Sequence, residues 1–238
     1  MKFYALSEAK GMVIIMNIIF FLISLFICFG LPIILAIYIV KKGKAHISSV
    51  IIGVVVFFIA QPVIRFSILS YLYNNIWFII NIKSSTIIMS LFLGLTAGIF
   101  EEGGRFLAFK FMFKNKLNRQ EGIAYGIGHG GCEAMVLVGT AMISSVMGHL
   151  SVLSPYELLE PGVERLCSIS VHIALSLIVM YSVKSKKYWV LLVAILLHAA
   201  LDSPLGIIKN TAIIQAYILI FGVISFIFIM YSKKQIIL

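Results

Sequence analysis

Long apolar runs separated by short basic stretches set the pattern of this chain. About 20 consecutive apolar residues are enough for a helix to cross a bilayer, and several runs reach that length. Met12–Val40 is predicted as a first span, with Pro32 kinking its end. Lys41-Lys42-Gly43-Lys44 is a loop, with His46 solvated at its edge, and Ile47–Ile64 is a second span. Arg65–Ser85 mixes Tyr71, Tyr73 and Trp77 with Asn74, Asn75 and Asn81. That mixture suits the headgroup region, so an interfacial or re-entrant segment is expected rather than an extra span. Further spans are predicted at Thr86–Phe113, Gly122–Met147, Val163–Val183, Tyr188–Leu201 (ending near Pro204) and Thr211–Tyr231. The loop Gly148–Gly162 contains His149, Glu157 and Glu160. The expected fold is an all-α, polytopic bundle of about seven transmembrane helices. Residues 1–238 form one integral-membrane domain on this reading, with core helices over 86–202.

Composition agrees. Of 238 residues, 61% are hydrophobic and 12% charged, against about a quarter charged in soluble domains. The net charge of +10 does not indicate nucleic acid. The lysines cluster in alternate short loops, at 41–44, 114–119, 184–187 and 233–234. That is the positive-inside pattern. It places the N-terminus outside and the C-terminus in the cytoplasm, and an eighth span at 65–85 would break it. Cys28, Cys132 and Cys167 lie in apolar runs without paired spacing, so no disulfide framework is expected. The lipid bilayer is the expected environment, and the plasma membrane of a bacterium the expected location.

Into these runs the sequence places groups that are expensive there. One charge at a bilayer centre costs at least about 2.5–3.5 kcal/mol. Glu101-Glu102-Gly103-Gly104-Arg105 puts three in the third run. His129 and Glu133 lie on the fourth, His172 on the fifth, His198 and Asp202 on the sixth. Residues four apart share a helix face, which pairs Glu101 with Arg105, His129 with Glu133 and Tyr125, and His198 with Asp202. At 1.5 Å rise per residue, Glu101, His129, His172 and His198 all fall roughly 10–18 Å from the cytoplasmic surface. More than half of the 18 glycines lie in the third and fourth spans, where small residues four apart let helices approach closely. One shared site is therefore predicted. Glu164 and Arg165 are expected to open the fifth span as a capping or interfacial pair, with reach of Arg165 to the site carboxylates as the second reading, and Cys132 to pack.

Imidazoles and carboxylates are zinc ligands, and a catalytic zinc keeps one position open for water. A remaining Glu can take a proton from that water. Adjacent carboxylates such as Glu101 and Glu102 suit acid–base work, and Arg105 can hold one ionised. The soluble-protease pattern H-E-x-x-H is absent.

These stretches resemble the intramembrane proteases of the YhfC-like group. That group falls within the broad superfamily of CAAX-processing and bacteriocin-processing (CPBP, or Abi) proteases and PrsW proteases. The resemblance rests on Glu101-Glu102-x-x-Arg105, Gly126-x-Gly128-His129-Gly130-Gly131-x-Glu133 and His198-x-x-x-Asp202, with His172 between. The CAAX pattern has three residues between Glu-Glu and Arg; here there are two, nearer the PrsW pattern Glu-Glu-x-x-Lys. Tyr125 fills the aromatic slot four before His129, and Asp202 stands where Asn is common. The resemblance implies a peptidase acting on a peptide or membrane-protein substrate, with a Zn²⁺ cofactor or a Glu/His-activated water.

The reading is an intramembrane metallopeptidase. Its expected catalytic residues are Glu101, Glu102, Arg105 and His129; its expected metal ligands are His129, Glu133, His172, His198 and Asp202. The scissile peptide would enter from the membrane or the cytoplasmic side. A proton- or cation-coupled transporter would also bury acids and histidines at this depth, and a non-catalytic scaffold would keep them for packing.

Overall fold

A computed structural model describes residues 2–113, 116–146 and 153–232 of the chain. The described residues form helices and no strand. Seven helices are long and apolar enough to cross a membrane: α1 Gly11–Lys41, α2 Ile47–Leu72, α3 Thr86–Phe111, α4 Arg119–Ser145, α5 Pro155–Ser185, α6 Trp189–Gly206 and α7 Thr211–Tyr231. The chain is thus the all-α polytopic bundle that its apolar runs predict. Lys114, Met147, His149, Lys233 and Lys234 lie outside the described residues, as does 148–152 of the predicted outer loop.

Two boundaries differ from expectation. The second span does not stop at Ile64. Helix α2 continues to Leu72 and carries Arg65 inside it, buried. The segment that stays at its end is shorter: a helical turn at Ile76–Phe78 and a π-helical stretch at Ile79–Lys83, with Ile76 and Trp77 exposed. The fifth helix likewise begins at Pro155, not Val163. Ser154 Oγ accepts from the Glu157 N–H, and the Glu157 carboxylate accepts from the Ser154 N–H, which closes a capping box. Two of the helix's unpaired N–H groups are satisfied in this way. Glu157, Glu160, Glu164 and Arg165 are therefore helical, and the last two lie more than two turns inside.

Packing follows from residue size. At Gly53 of α2 an added Cβ would stand 2.2 Å from the Tyr125 carbonyl oxygen; at Gly128 of α4 it would stand 2.1 Å from the Val50 carbonyl oxygen. These two backbones touch, and only glycine permits it. Gly126 approaches α5 in the same manner, with a would-be Cβ 2.6 Å from Ile173 Cα. Helices α4 and α5 therefore form the centre, while α1 and α7 turn most of their apolar residues outward. Beyond these contacts α2 and α4 part. The outer part of α2, a π-helical stretch at Ile59–Arg65 containing Pro62, packs against α3. Proline removes one N–H from the helical ladder, which accounts for the widened turn. The outer part of α4, π-helical over Ala134–Gly139, packs instead on the π-helical stretch Phe26–Gly30 of α1.

The helix ends sort into two faces. Asn17 Nδ2 donates to the Leu153 carbonyl at 2.8 Å, Ser24 Oγ to the Leu158 carbonyl at 2.6 Å, and Gln215 to Glu160. The beginnings of α1, α5 and α7 thus lie together. On the other face Arg119 donates to Ser232 Oγ and the Ile229 carbonyl at 2.9 and 2.7 Å. Glu121, also there, accepts from Ser49 Oγ at 2.5 Å and from the His46 N–H at 3.1 Å. Its other oxygen lies 2.6 Å from His46 Nδ1. His46 was expected to be merely solvated; it is half exposed and tied to a buried carboxylate that caps α2. The described basic loop residues, Lys41, Lys42, Lys44, Lys116, Arg119, Lys184, Lys186 and Lys187, all belong to this second face.

Candidate active site

Helix α3 brings Glu101, Glu102 and Arg105 to the middle of the bundle, all buried. Counted from the lysine-bearing ends of their helices, Glu101, His129, His172 and His198 lie roughly 14–20 Å deep at 1.5 Å per residue. The shared depth predicted from sequence corresponds to real convergence. The rings of His129 and His172 are 5.0 Å apart centre to centre, and those of His172 and His198 5.7 Å.

Consecutive helical residues point about 100° apart, so the two glutamates face different neighbours. Glu101 Oε2 lies 2.9 Å from His129 Nε2 and 3.9 Å from His172 Nδ1. Its Oε1 accepts from Gln61 Nε2 and lies 3.8 Å from His198 Nε2. Glu102 is paired with Arg105 one turn along the same helix, and its other oxygen lies 2.8 Å from His198 Nδ1. Arg105 Nη2 also donates toward His172 Nδ1 at 3.2 Å, and the guanidinium stands 5.9 Å from the Tyr125 ring centre. Three buried charges thus have partners on α2, α3, α4, α5 and α6, as buried ions require.

A cavity of about 190 Å³ reaches this cluster. Glu101, Glu133, His172, His198 and Asp202 line it; Glu102, Arg105 and His129 do not. Glu133 lies with Oε2 2.5 Å from His172 Nε2 and accepts from Arg165 Nη1 at 2.5 Å through Oε1. Asp202 is at the cavity edge, its carboxylate 3.5 Å from His198 Nε2 and one-third exposed.

Two cavity residues, Gln61 and Arg65, escaped the sequence reading, and for a third the second reading is the one observed. Arg165, expected at a helix start, is bonded to Glu133 and, at 2.6 Å, to Glu164. Gln61 holds Glu101 and accepts from Arg65 Nη1 at 2.9 Å. Arg65 is anchored further by Thr96 Oγ1 at 3.2 Å and the Leu93 carbonyl at 2.8 Å. Signals for all three exist in the sequence. Gln61 and Arg65 are four apart on one face, and Ser154-Pro155-Tyr156-Glu157 is a capping-box pattern that starts α5 early enough to bury Arg165.

Among the described residues, one set of three could hold a metal ion. Glu101, His129 and His172 each offer a donor atom within 4.8 Å of the other two. A carboxylate and two imidazoles are a donor set that suits a catalytic divalent ion with an open position. The fit is one of chemistry: the His172 nitrogen nearest Glu101 is also the one facing Arg105.

The fold and this centre define a class: a polytopic helical membrane protein with a buried glutamate–histidine cluster on a polar cavity. Sequence comparison places the chain more closely. The model of the YhfC intramembrane metalloprotease family matches residues 27–147 and 139–229, and the chain belongs to that family. It is similar to the uncharacterized membrane protein YhfC of Bacillus subtilis (strain 168), at 28% identity over 249 aligned positions that cover 91% of this chain and 96% of that one. No solved structure matches.

Proposed function

We propose that this protein is an intramembrane peptidase in which Glu101 activates the attacking water. One observation carries the reading: Glu101 is the member of the glutamate pair that lines the cavity, and Gln61 and His129 hold its two oxygens. A carboxylate fixed on both sides and open to a cavity can take a proton from water placed there. His198, also on the cavity wall and bonded to Glu102 through Nδ1, would donate a hydrogen bond to a substrate carbonyl through Nε2, while His172, with Nε2 against Glu133 and Nδ1 facing Arg105, shapes the wall beside it. Glu102 and Arg105 act behind the wall, orienting His198 and His172. Glu133 and Asp202 are the remaining cavity acids; Glu133 buttresses His172, and Asp202 lies beside His198 at the edge.

A zinc ion, if it is the family's metal, would be held by Glu101, His129 and His172 and would polarise the scissile carbonyl as a Lewis acid. The carboxylates left on the cavity wall to accept the proton are then Glu133, Glu164 and Asp202. Cleavage of a membrane-tethered reporter, together with the metal content of the purified protein, tests the reading. Glu101→Gln should abolish cleavage while the protein remains folded. Full cleavage by Glu101→Gln, Glu102→Gln would end the peptidase proposal.

A further inference from the structure

Access to the cluster is not symmetric along the membrane normal. On the side of the lysine-bearing ends, aromatic and aliphatic side chains pack below the histidines. Phe109 and Phe113 stack against one another with ring centres 4.8 Å apart, Phe109 meets Tyr125 at 4.8 Å, and all three are buried. Leu177, Val179 and Met180 of α5 fill the same level with no exposure. The backbone contacts of Gly53 with Tyr125 and of Gly128 with Val50 seal α2 against α4 here. The buried polar side chains at this level, Arg105 and Ser176, are tied within the bundle: Arg105 to Glu102 and His172, and Ser176 Oγ to the His172 carbonyl at 2.6 Å.

Toward the opposite face the picture reverses. There α2 leans on α3 and α4 leans on α1, and the cavity lies in the gap, with Arg65 and Phe66 on one wall and Leu137 on the other. Exposure rises along the cavity in that direction. Glu101 is 2% exposed, Glu133 14%, Glu164 28%, Asp202 33% and Leu205 40%. The edge carries three carboxylates against the Arg165 guanidinium, so water and a polar main chain are accommodated there. Helix α6 also ends early: Gly206 packs at the level of Ser90, a turn inside the start of α3.

We infer that the centre is loaded from the face opposite the basic loops. By the positive-inside rule that face is extracytoplasmic. The proposal rests on the peptidase reading for its substrate class. The cleaved segment is a stretch of polypeptide in the outer leaflet or just outside it, such as the extracytoplasmic flank of a membrane-anchored protein. It enters in extended form between α2 and α4. Of the two routes expected from sequence, the membrane and the cytoplasmic side, only the first is kept, and cytoplasmic tails do not reach Glu101.

Thiol accessibility tests the direction without any need for activity. In full-length protein with Cys28, Cys132 and Cys167 changed to Ala, Ser168→Cys and, separately, Leu201→Cys place a thiol on the cavity wall. Lys186→Cys marks the basic face. The probe is a membrane-impermeant trimethylammonium methanethiosulfonate, applied to intact cells and to inverted vesicles. The cavity thiols should react at least about tenfold faster from the face opposite position 186. Equal or faster reaction from the position-186 face, or no reaction at either cavity thiol from either face, overturns the proposal. A second arm uses two membrane-tethered reporters with one cleavage segment, placed outside in one and in the cytoplasm in the other. Cleavage of the outside reporter alone supports the inference, and cleavage of the cytoplasmic one alone overturns it. If neither is cleaved while the thiols react from the outer face, loading direction stands and the peptidase reading falls.

Discussion

Glu101 and Glu102 are adjacent in sequence, equally buried and of one chemical type, yet they belong to two different regions. Glu101 stands on a cavity wall, held by a neutral amide and an imidazole. Glu102 sits in sealed packing, neutralised by a guanidinium on its own helix and bonded to His198. The difference separates two uses of a buried acid. An acid that must exchange a proton needs room for a reactant and no strong cation committed to it. An acid that must hold other groups in place needs the reverse. A rotation of about 100° along one helix is enough to assign the roles.

The contrast can be broken by substitution, and the largest effect is expected on the sealed side. Arg105→Ala leaves Glu102 as an uncompensated buried charge and removes the donor to His172. Loss of about 3–5 kcal/mol of stability is expected, read as a large fall in the unfolding midpoint of detergent-solubilised protein. Arg105→Lys should recover part of it, because charge survives and the fork does not. Next is the cavity side. Glu101→Gln should lower reporter cleavage by about 10²–10⁴ with an unfolding midpoint close to the parent. If Glu101→Gln destabilises as much as Glu102→Gln, the division between the two regions fails.

A third substitution sharpens the boundary between the regions. Gly128→Ala drives a methyl group into the Val50 carbonyl and should destabilise by about 1–3 kcal/mol, as overpacking does. It should also reduce cleavage by pushing α2, and Gln61 with it, away from Glu101. The smallest effect is expected far from both regions. Glu157→Ala removes half of an exposed capping box and should cost no more than about 1 kcal/mol, with cleavage unchanged.

Much of this arrangement was legible in the sequence because membranes restrict polar groups so strongly. Runs long enough to span gave seven helices, and the depth of the histidines along them gave a common level. The i,i+4 rule put Tyr125, His129 and Glu133 on one face, and the structure keeps them on the side that meets α3 and α5. What was missed lay where a charge was taken as the end of a span. Arg65 looked like the first residue of an interfacial stretch and Arg165 like a helix start. Each is instead buried because partners satisfy it: Gln61 on its own helix and Thr96 on α3 for Arg65, and Glu133 on α4 for Arg165. Tertiary pairing of this kind leaves no trace in a local hydrophobic pattern. The separate positions of Glu101 and Glu102 were likewise invisible, since both fit the same spacing rules until the neighbours of each face are known.

The pairing of Glu102 with Arg105 within α3 bears on how such a helix is made. During synthesis α3 is complete before His129, His172 and His198 exist, so the partners from α4, α5 and α6 cannot help it enter the bilayer. Its own arginine is already there, one turn away, and Gln61 and Arg65 arrive earlier still on α2. The newborn helix therefore faces the hydrocarbon with one uncompensated carboxylate rather than two, and that one is the group for which α2 has a waiting amide. Assembly order and chemistry agree: the groups that complete the reactive centre come last, when there is a scaffold to receive them.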